Sequence, residues 1–341
     1  MQIRGSVHNR ARHETPKWPF VLVAAGLLAG AVTTVLVTRA VASVPGVSPV
    51  LEAPRASTEA AADSAPIATG SLPDLTELAA RLQGLLSQQE GVYGVYVVDV
   101  ATGAGAGINA DFVFPTASTV KLPVAMYVLN QVEQGTVNLD DLIPYEPSDW
   151  EEGTGVLQEE VSEGFVLPLR RLVALTITES DNIATNMLLR HFGSESIAAY
   201  MEKLGGTVTH DGQIWSTTPR DMAGYMLQAH NSTTLADPVL RGFLKDLLSS
   251  TVFTDRIAAG VPAGTRVEHK IGTLPNVVND VAMVYGPRRS FVVSVFSRDV
   301  NMQQAPQVIA DLTHEVFEYE ASLGPVSTPP IRAGDWGPVP G

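Results

Sequence analysis

The stretch PTASTVKLPVAMYVLNQVEQG, residues 115 to 135, places a serine and a lysine three residues apart at the start of a helical pattern. The periodicity predicts a helix beginning soon after Pro115, with Ser118 and Lys121 on one face of its first turn. Serine is a weak nucleophile until a base takes its proton, and a lysine whose pKa is lowered by burial or by a second cation can act as that base. A helix N-terminus also offers free backbone N–H groups to developing negative charge. Taken alone, Ser-X-X-Lys is also what an ordinary amphipathic helix carries by chance. The chain has only five lysines, at 17, 121, 203, 245 and 270, and only Lys121 follows a serine at this spacing.

The 341 residues are enough for one large domain or two small ones, and a composition 45% hydrophobic and 17% charged is that of a globular protein. The absence of cysteine excludes disulfides, thiol catalysis, iron–sulfur clusters and lipoprotein acylation together. Residues 18–38, WPFVLVAAGLLAGAVTTVLVT, run 21 positions without a charge, long enough to span a bilayer. Arg4, Arg10, Arg12 and Lys17 mark residues 1–17 as the cytoplasmic side, so the rest of the chain is expected outside the cytoplasm on a single-pass anchor. Ala40-Val41-Ala42 offers the alternative of a cleaved signal peptide and a secreted product, but the apolar run is long for one and Arg39 intervenes. Beyond residue 42 the chain carries 17 basic and 35 acidic side chains, and such a surface repels nucleic acid.

Residues 39–70, rich in Ala, Ser and Pro from residue 43 on, read as a flexible linker. Ser71-Leu72-Pro73-Asp74 resembles a capping box, and Leu75, Leu78, Leu82, Leu85 and Leu86 form a helical stripe up to Gly91. VYGVYVVDV and GAGINAD flank a turn at 101–103 and predict a hairpin. After the Ser118 helix comes an irregular acidic connection from about Leu139 to Gly164. Helices are then predicted over 168–180, 182–193, 195–204, 219–230 and 237–249, the fourth opened by Thr218 as N-cap and Pro219 at the first helical position. Strands return in RVEHKIGT, DVAMVYG and SFVVSVFSR, between 266 and 298, and a helix over about 303–322 closes a domain spanning 71–323, ahead of a Pro/Gly-rich tail at 324–341. With strands at both ends and helices between, the terminal portions should share one antiparallel sheet and the middle should form an all-helical lobe, with a cleft where they meet.

Two more stretches could project into that cleft. Ser180-Asp181-Asn182 falls between two predicted helices, and Lys270-Ile271-Gly272-Thr273 ends a predicted strand, where Gly272 permits close backbone approach. Each has an ordinary reading, as a helix-capping loop and as a solvated edge lysine. In order, Ser-X-X-Lys, Ser-Asp-Asn and Lys-X-Gly form the combination found in class A β-lactamases and penicillin-binding proteins. From about residue 73 to 322 the chain resembles that serine β-lactamase and DD-peptidase superfamily, also through VVDVATG, GTGVLQ at 153–158, STTPRDMA at 216–223 and FTDRIAAGVPAGTRVEHKIGTLP.

The resemblance implies a class A β-lactamase-like α/β (α+β) fold, in which an antiparallel sheet from both ends of the domain is flanked by helices and joined to a helical lobe. It implies that Ser118 attacks a lactam or amide carbonyl with Lys121 as general base. Ser180 would pass a proton to the leaving nitrogen, and Lys270 would assist and attract a substrate carboxylate. The N–H groups of Ser118 and Thr273, the latter beside Gly272, would form the oxyanion hole, Asn182 would hold a substrate amide and orient Lys121, and Asp181 would be structural. No metal or cofactor is implied, and the substrate would be a β-lactam or a peptidoglycan peptide ending in D-alanine. The seven histidines, at 8, 13, 191, 210, 230, 269 and 314, show no metal-ligand spacing, and only His269 adjoins a motif.

The chain departs from the family pattern twice. Ile271 stands where a Thr or Ser hydroxyl is usual, and Thr273, two residues along the same strand face, is placed to compensate. The segment TVTHDGQIWS between Gly206 and Thr217 is shorter than the family's Ω-loop, lacks Glu-X-X-Leu-Asn, and holds one carboxylate, Asp211. Both departures leave open a catalytically weak domain that binds or senses penicillins or cell-wall fragments.

Overall fold

The computed structural model describes residues 75–207 and 215–324. The predicted membrane span at 18–38, the linker at 39–70, the capping box at 71–74, Asp211 and the tail beyond Gly324 lie outside the described residues. Among the described residues no helix is long and apolar enough to cross a membrane.

The leucine stripe forms α1 (Thr76–Leu86), followed by the predicted hairpin of β1 (Val92–Asp99) and β2 (Gly105–Ile108) and by the short β3 (Phe114–Pro115). The Ser118 segment differs from expectation. Ala117–Val120 form a 3₁₀ turn, and the α-helix α2 (Lys121–Glu133) begins only at the lysine. The acidic connection is also more ordered than its sequence implies, since β4 (Leu142–Pro144) and β5 (Val166–Pro168) pair antiparallel around two 3₁₀ turns. The helical middle comprises α3 (Leu169–Thr178), α4 (Asn182–Phe192), α5 (Ser194–Lys203), α6 (Pro219–Ala229) and α7 (Pro238–Ser249), with β6 (Ser216–Thr217) pairing with β3. Thr218 caps α6 as predicted, its side chain accepting from Asp221 N. Strands β7 (Val267–Leu274), β8 (Val277–Tyr285) and β9 (Ser290–Arg298) and helix α8 (Ala305–Ser322) complete the order.

The main sheet runs β2-β1-β9-β8-β7, every pair antiparallel, so strands from both ends of the domain share it. Alternate residues serve opposite faces. Tyr96, Val98, Val281, Met283, Val292 and Phe296 pack toward the helical middle, whereas Val95, Val97, Ala282, Val284, Val293 and Val295 pack against α1 and α8. Burial on both faces is why these strands read as apolar runs and not as an alternation. β7, at the sheet edge, contacts the 3₁₀ turn that carries Ser118, which brings the strand motif beside the serine.

Candidate active site

Ser118 is half-buried in its 3₁₀ turn, and the turn is tied down on both sides. Thr116 N and Oγ1 donate to Trp215 O at 2.9 and 3.1 Å, and Asn279 Nδ2 donates to Pro115 O at 2.9 Å. Ala117 has φ 47°, in the left-handed region that costs a residue with a Cβ about 1 to 2 kcal/mol. Gly272 fits against this turn only because it lacks a side chain. A Cβ there would lie 2.8 Å from Thr116 O and 3.0 Å from Ser118 N.

Lys121, the first residue of α2, is buried. Its Nζ donates to Ser180 O at 2.6 Å, to Asn182 Oδ1 at 2.7 Å and to Ser180 Oγ at 3.3 Å. None of these bonds goes to Ser118, although the shared helical face predicts a direct pair. In the 3₁₀ turn the two residues still stand one turn apart, on one side of it. Burial lowers the Lys121 pKa to about 8, against the opposing pull of Asp181 and Glu151.

Ser180 joins α3 to α4 with φ 52°, and its carbonyl accepts from both Lys121 and Thr154 Oγ1, the latter at 2.7 Å. Its hydroxyl also meets a second lysine, Lys270 Nζ, at 3.0 Å. Lys270 is fully buried, and its pKa is held well below the ordinary value by burial and then by the Lys121 charge, with Asp280 pulling the other way. Two lysines therefore converge on one hydroxyl. Asp181 holds this junction, accepting from Ala184 N, Val156 N and Leu157 N at 2.8, 2.7 and 2.9 Å. Gly155 makes room for it: its φ is 128°, and a Cβ would fall 2.2 Å from Asp181 Oδ2.

On β7, Ile271 and Thr273 both line the cavity. Thr273 Oγ1 accepts from Arg256 Nη2 at 2.6 Å, while Arg256 Nη1 holds Gly272 O and Asn279 O at 2.9 and 2.7 Å. His269 turns away to the buried Asp280, with Nδ1 at 3.1 and 3.2 Å from its two oxygens. The cavity is about 710 Å³, and Ser118, Lys121, Ser180, Asn182 and Thr273 all line it.

The structure thus gathers all eight residues singled out from the sequence around one cavity, with Lys270 reaching it through Ser180, and Asp181 and Gly272 as supports. It adds four that the motifs do not name. Arg256 lies within the resembling stretch FTDRIAAGVPAGTRVEHKIGTLP, but no spacing marks it as a neighbour of Thr273. Asn279 on β8 and Asn186 on α4 carry no motif. Glu151, in the acidic connection, accepts from Asn182 Nδ2 at 3.3 Å and from Asn186 Nδ2 at 2.7 Å.

A Ser-X-X-Lys turn, a Ser-Asp-Asn junction and a lysine strand close on one cavity, in a chain whose family and fold the comparisons identify. Residues 77–319 match the sequence profile of the Beta-lactamase enzyme family, and the chain belongs to that family. It superposes on the structure of PBP-A with TM-score 0.70 at 28% identity, covering 73% of this chain and 97% of that one. A PBP-A variant, equally similar, was solved as an acyl-enzyme complex with penicillin G. An ancestral class A beta-lactamase, GNCA, shares 31% identity at TM-score 0.66 over 71% of this chain and 99% of its own. Beta-lactamase VEB-1 of Pseudomonas aeruginosa is 26% identical over 269 residues, 71% of this chain and 90% of that protein.

Proposed function

We propose that the protein forms an acyl-enzyme on Ser118 with β-lactams or with peptidoglycan peptides ending in D-alanine, and that it does so outside the cytoplasm on an N-terminal membrane anchor. The observation that carries the catalytic reading is Ser180 Oγ, held between Lys121 and Lys270 at 3.3 and 3.0 Å in the cavity that Ser118 also lines. A Lys121 pKa near 8 leaves about a tenth of the amine free at pH 7, and this neutral form takes the Ser118 proton as Oγ attacks the carbonyl carbon. Ser180 then relays a proton to the departing nitrogen. The backbone N–H groups of Ser118 and Thr273 receive the oxyanion, and Arg256 with Lys270 draws the substrate carboxylate toward Thr273. The anchor and its orientation are supported by the uncharged run at 18–38 and the basic residues before it.

Without a substitute base, hydrolysis of the acyl-enzyme is the slower half of this cycle. The segment between Gly206 and Thr217 carries no counterpart of the family's water-activating glutamate, and general-base assistance is worth about 10² to 10⁴ in rate. The penicillin G acyl-enzyme of the PBP-A variant accords with such a persistent adduct in a similar fold. The test is to incubate the full chain with a fluorescent penicillin and locate the adduct by mass spectrometry. Ser118 should carry it, Ser118→Ala should carry none, and Lys121→Ala should label more slowly by orders of magnitude. An adduct on another residue would overturn the assignment, and unlabelled wild-type protein would leave the non-catalytic binding domain as the better reading.

A further inference from the structure

The acyl-enzyme still has to be released, and the cavity holds a carboxylate placed to serve. Glu151 and Glu152 both line it, in the loop between the two 3₁₀ turns that precede α3. Their side chains differ in how they are held. Glu151 is gripped through both oxygens by Asn182 and Asn186, one turn apart on α4, at 3.3 and 2.7 Å. The side chain of Glu152 contributes no such contact; its backbone carbonyl accepts from Asn182 Nδ2 at 3.1 Å.

The loop itself is pinned. Arg190 forms a two-pronged pair with the buried Asp149, Nε to Oδ1 at 2.8 Å and Nη2 to Oδ2 at 3.0 Å. Asn186 Nδ2 also reaches Asp149 O at 3.2 Å, and Gln158 Nε2 reaches Glu151 O at 3.3 Å. Asn182 then links Glu151 to the serine–lysine pair. Its Nδ2 faces Glu151, while its Oδ1 accepts from Lys121 Nζ at 2.7 Å. One side-chain amide therefore separates the carboxylate from Lys121. An ionised carboxylate has about four acceptor sites, of which the two amides use two, and the side chain is exposed, so the remaining lone pairs are free to hold a water on the cavity side.

We propose that Glu151 is the general base that hydrolyses the Ser118 acyl-enzyme, supplied by the loop ahead of α3 in place of the family's Ω-loop glutamate. The proposal rests on Ser118 being the nucleophile. In the step, Glu151 takes one proton from water as the water oxygen bonds to the acyl carbon. When the tetrahedral intermediate collapses and the bond from carbon to Ser118 Oγ breaks, that proton passes to Oγ. The products are the free carboxylic acid, the Ser118 hydroxyl and the Glu151 carboxylate.

The experiment follows the two half-reactions separately on the full chain. Formation of the penicillin adduct is timed by fluorescence, and after excess ligand is removed its decay is timed by mass spectrometry, in wild type and in Glu151→Gln. A Gln side chain keeps a carbonyl acceptor for one of the two asparagines but cannot take a proton. Decay should slow by about 10² or more, well beyond any change in adduct formation, which Glu151 reaches only through Asn182 and its pull on Lys121. Glu151→Asp, which keeps a carboxylate but is too short to hold both asparagines as before, should recover part of the decay rate that Glu151→Gln loses, a recovery that a merely structural role would not give. Wild-type decay in Glu151→Gln, or decay slowed as much in Glu151→Asp as in Glu151→Gln, overturns the proposal while Ser118 acylation stands. Absence of any adduct in wild type instead overturns the acyl-enzyme reading beneath it.

Discussion

Lys121 Nζ lies 2.6 Å from the carbonyl oxygen of Ser180, because the positive φ of Ser180 turns that carbonyl back toward the first residue of α2. The lysine is thereby held in a buried position, where its charged form is disfavoured and its pKa falls to about 8. In the proposed mechanism only the neutral amine takes a proton from Ser118. Acylation should therefore rise about tenfold per pH unit well below that value and level off above it. Rates of adduct formation measured from about pH 6 to about pH 9 check this, and a flat profile would show that free Lys121 amine is not required.

Asp181 supports the same junction from beneath. Its carboxylate satisfies three backbone N–H groups, of Val156, Leu157 and Ala184, and the residue is fully buried. Asp181→Ala strands those donors and removes the α4 cap, so it should cost at least about 2 kcal/mol. Because Ser180 and Asn182 flank it, adduct formation should slow as well. Denaturant unfolding reads the first effect, and an unchanged midpoint would contradict the role assigned to the carboxylate.

The elements with strong local signals are legible in the chain. Thr218-Pro219 starts α6 where the sequence says, and the valine-rich runs of β8 and β9 mark strands buried on both faces. The three motifs are legible as residue types, but they are separated by tens of residues, and only resemblance to a known family brings them together before the structure does. Other features have no local signature. A four-residue 3₁₀ turn at Ala117–Val120 cannot be told from a first α-helical turn by apolar spacing. The β4–β5 ribbon is three residues per strand, with Pro144 and Pro168 at strand ends, and shows no sustained alternation. Arg256 and Glu151 acquire their places entirely from contacts made across the fold, with Thr273 and with the α4 asparagines.

Away from the cavity, Glu320 on α8 is buried beside Asp99, to whose carboxylate its protonated form can donate. Burial, and then the Asp99 charge, push its pKa up to about 8 from 4.5. The folded protein thus holds a proton that the unfolded chain releases. The resulting stabilisation is complete below the unfolded value and is lost as pH rises from there through about 8, at about 1.4 kcal/mol for each pH unit between the two values. Glu320→Gln removes the ionisation. Its unfolding midpoint should exceed that of wild type at about pH 9, with the gap narrowing toward about pH 5. A gap that widens on acidification would reverse the sign and exclude Glu320 as its source.

The substitution of Ile271 for the hydroxyl usual in this family gives the last prediction. Ile271 and Thr273 both face the cavity, and Thr273 Oγ1 is held 2.6 Å from Arg256 Nη2. The one hydroxyl on this strand face thus stands at the guanidinium, where a substrate carboxylate would settle. Thr273→Val keeps the shape but removes the hydroxyl and leaves a buried N–H of Arg256 without its partner. A hydrogen bond to a charged group is worth about 1.5 to 3 kcal/mol, so the apparent affinity for a carboxylate-bearing penicillin should fall about 10- to 100-fold. The maximal acylation rate should change less, because the lysines and Ser180 are untouched. Adding Ile271→Thr to Thr273→Val returns a hydroxyl to the same face, one pleat repeat away, and should recover part of the loss. Saturation curves of adduct formation for wild type, the single variant and the double variant test this. If Thr273→Val leaves the half-saturating concentration unchanged, Thr273 does not compensate for Ile271, and the carboxylate is held by Arg256 and Lys270 alone.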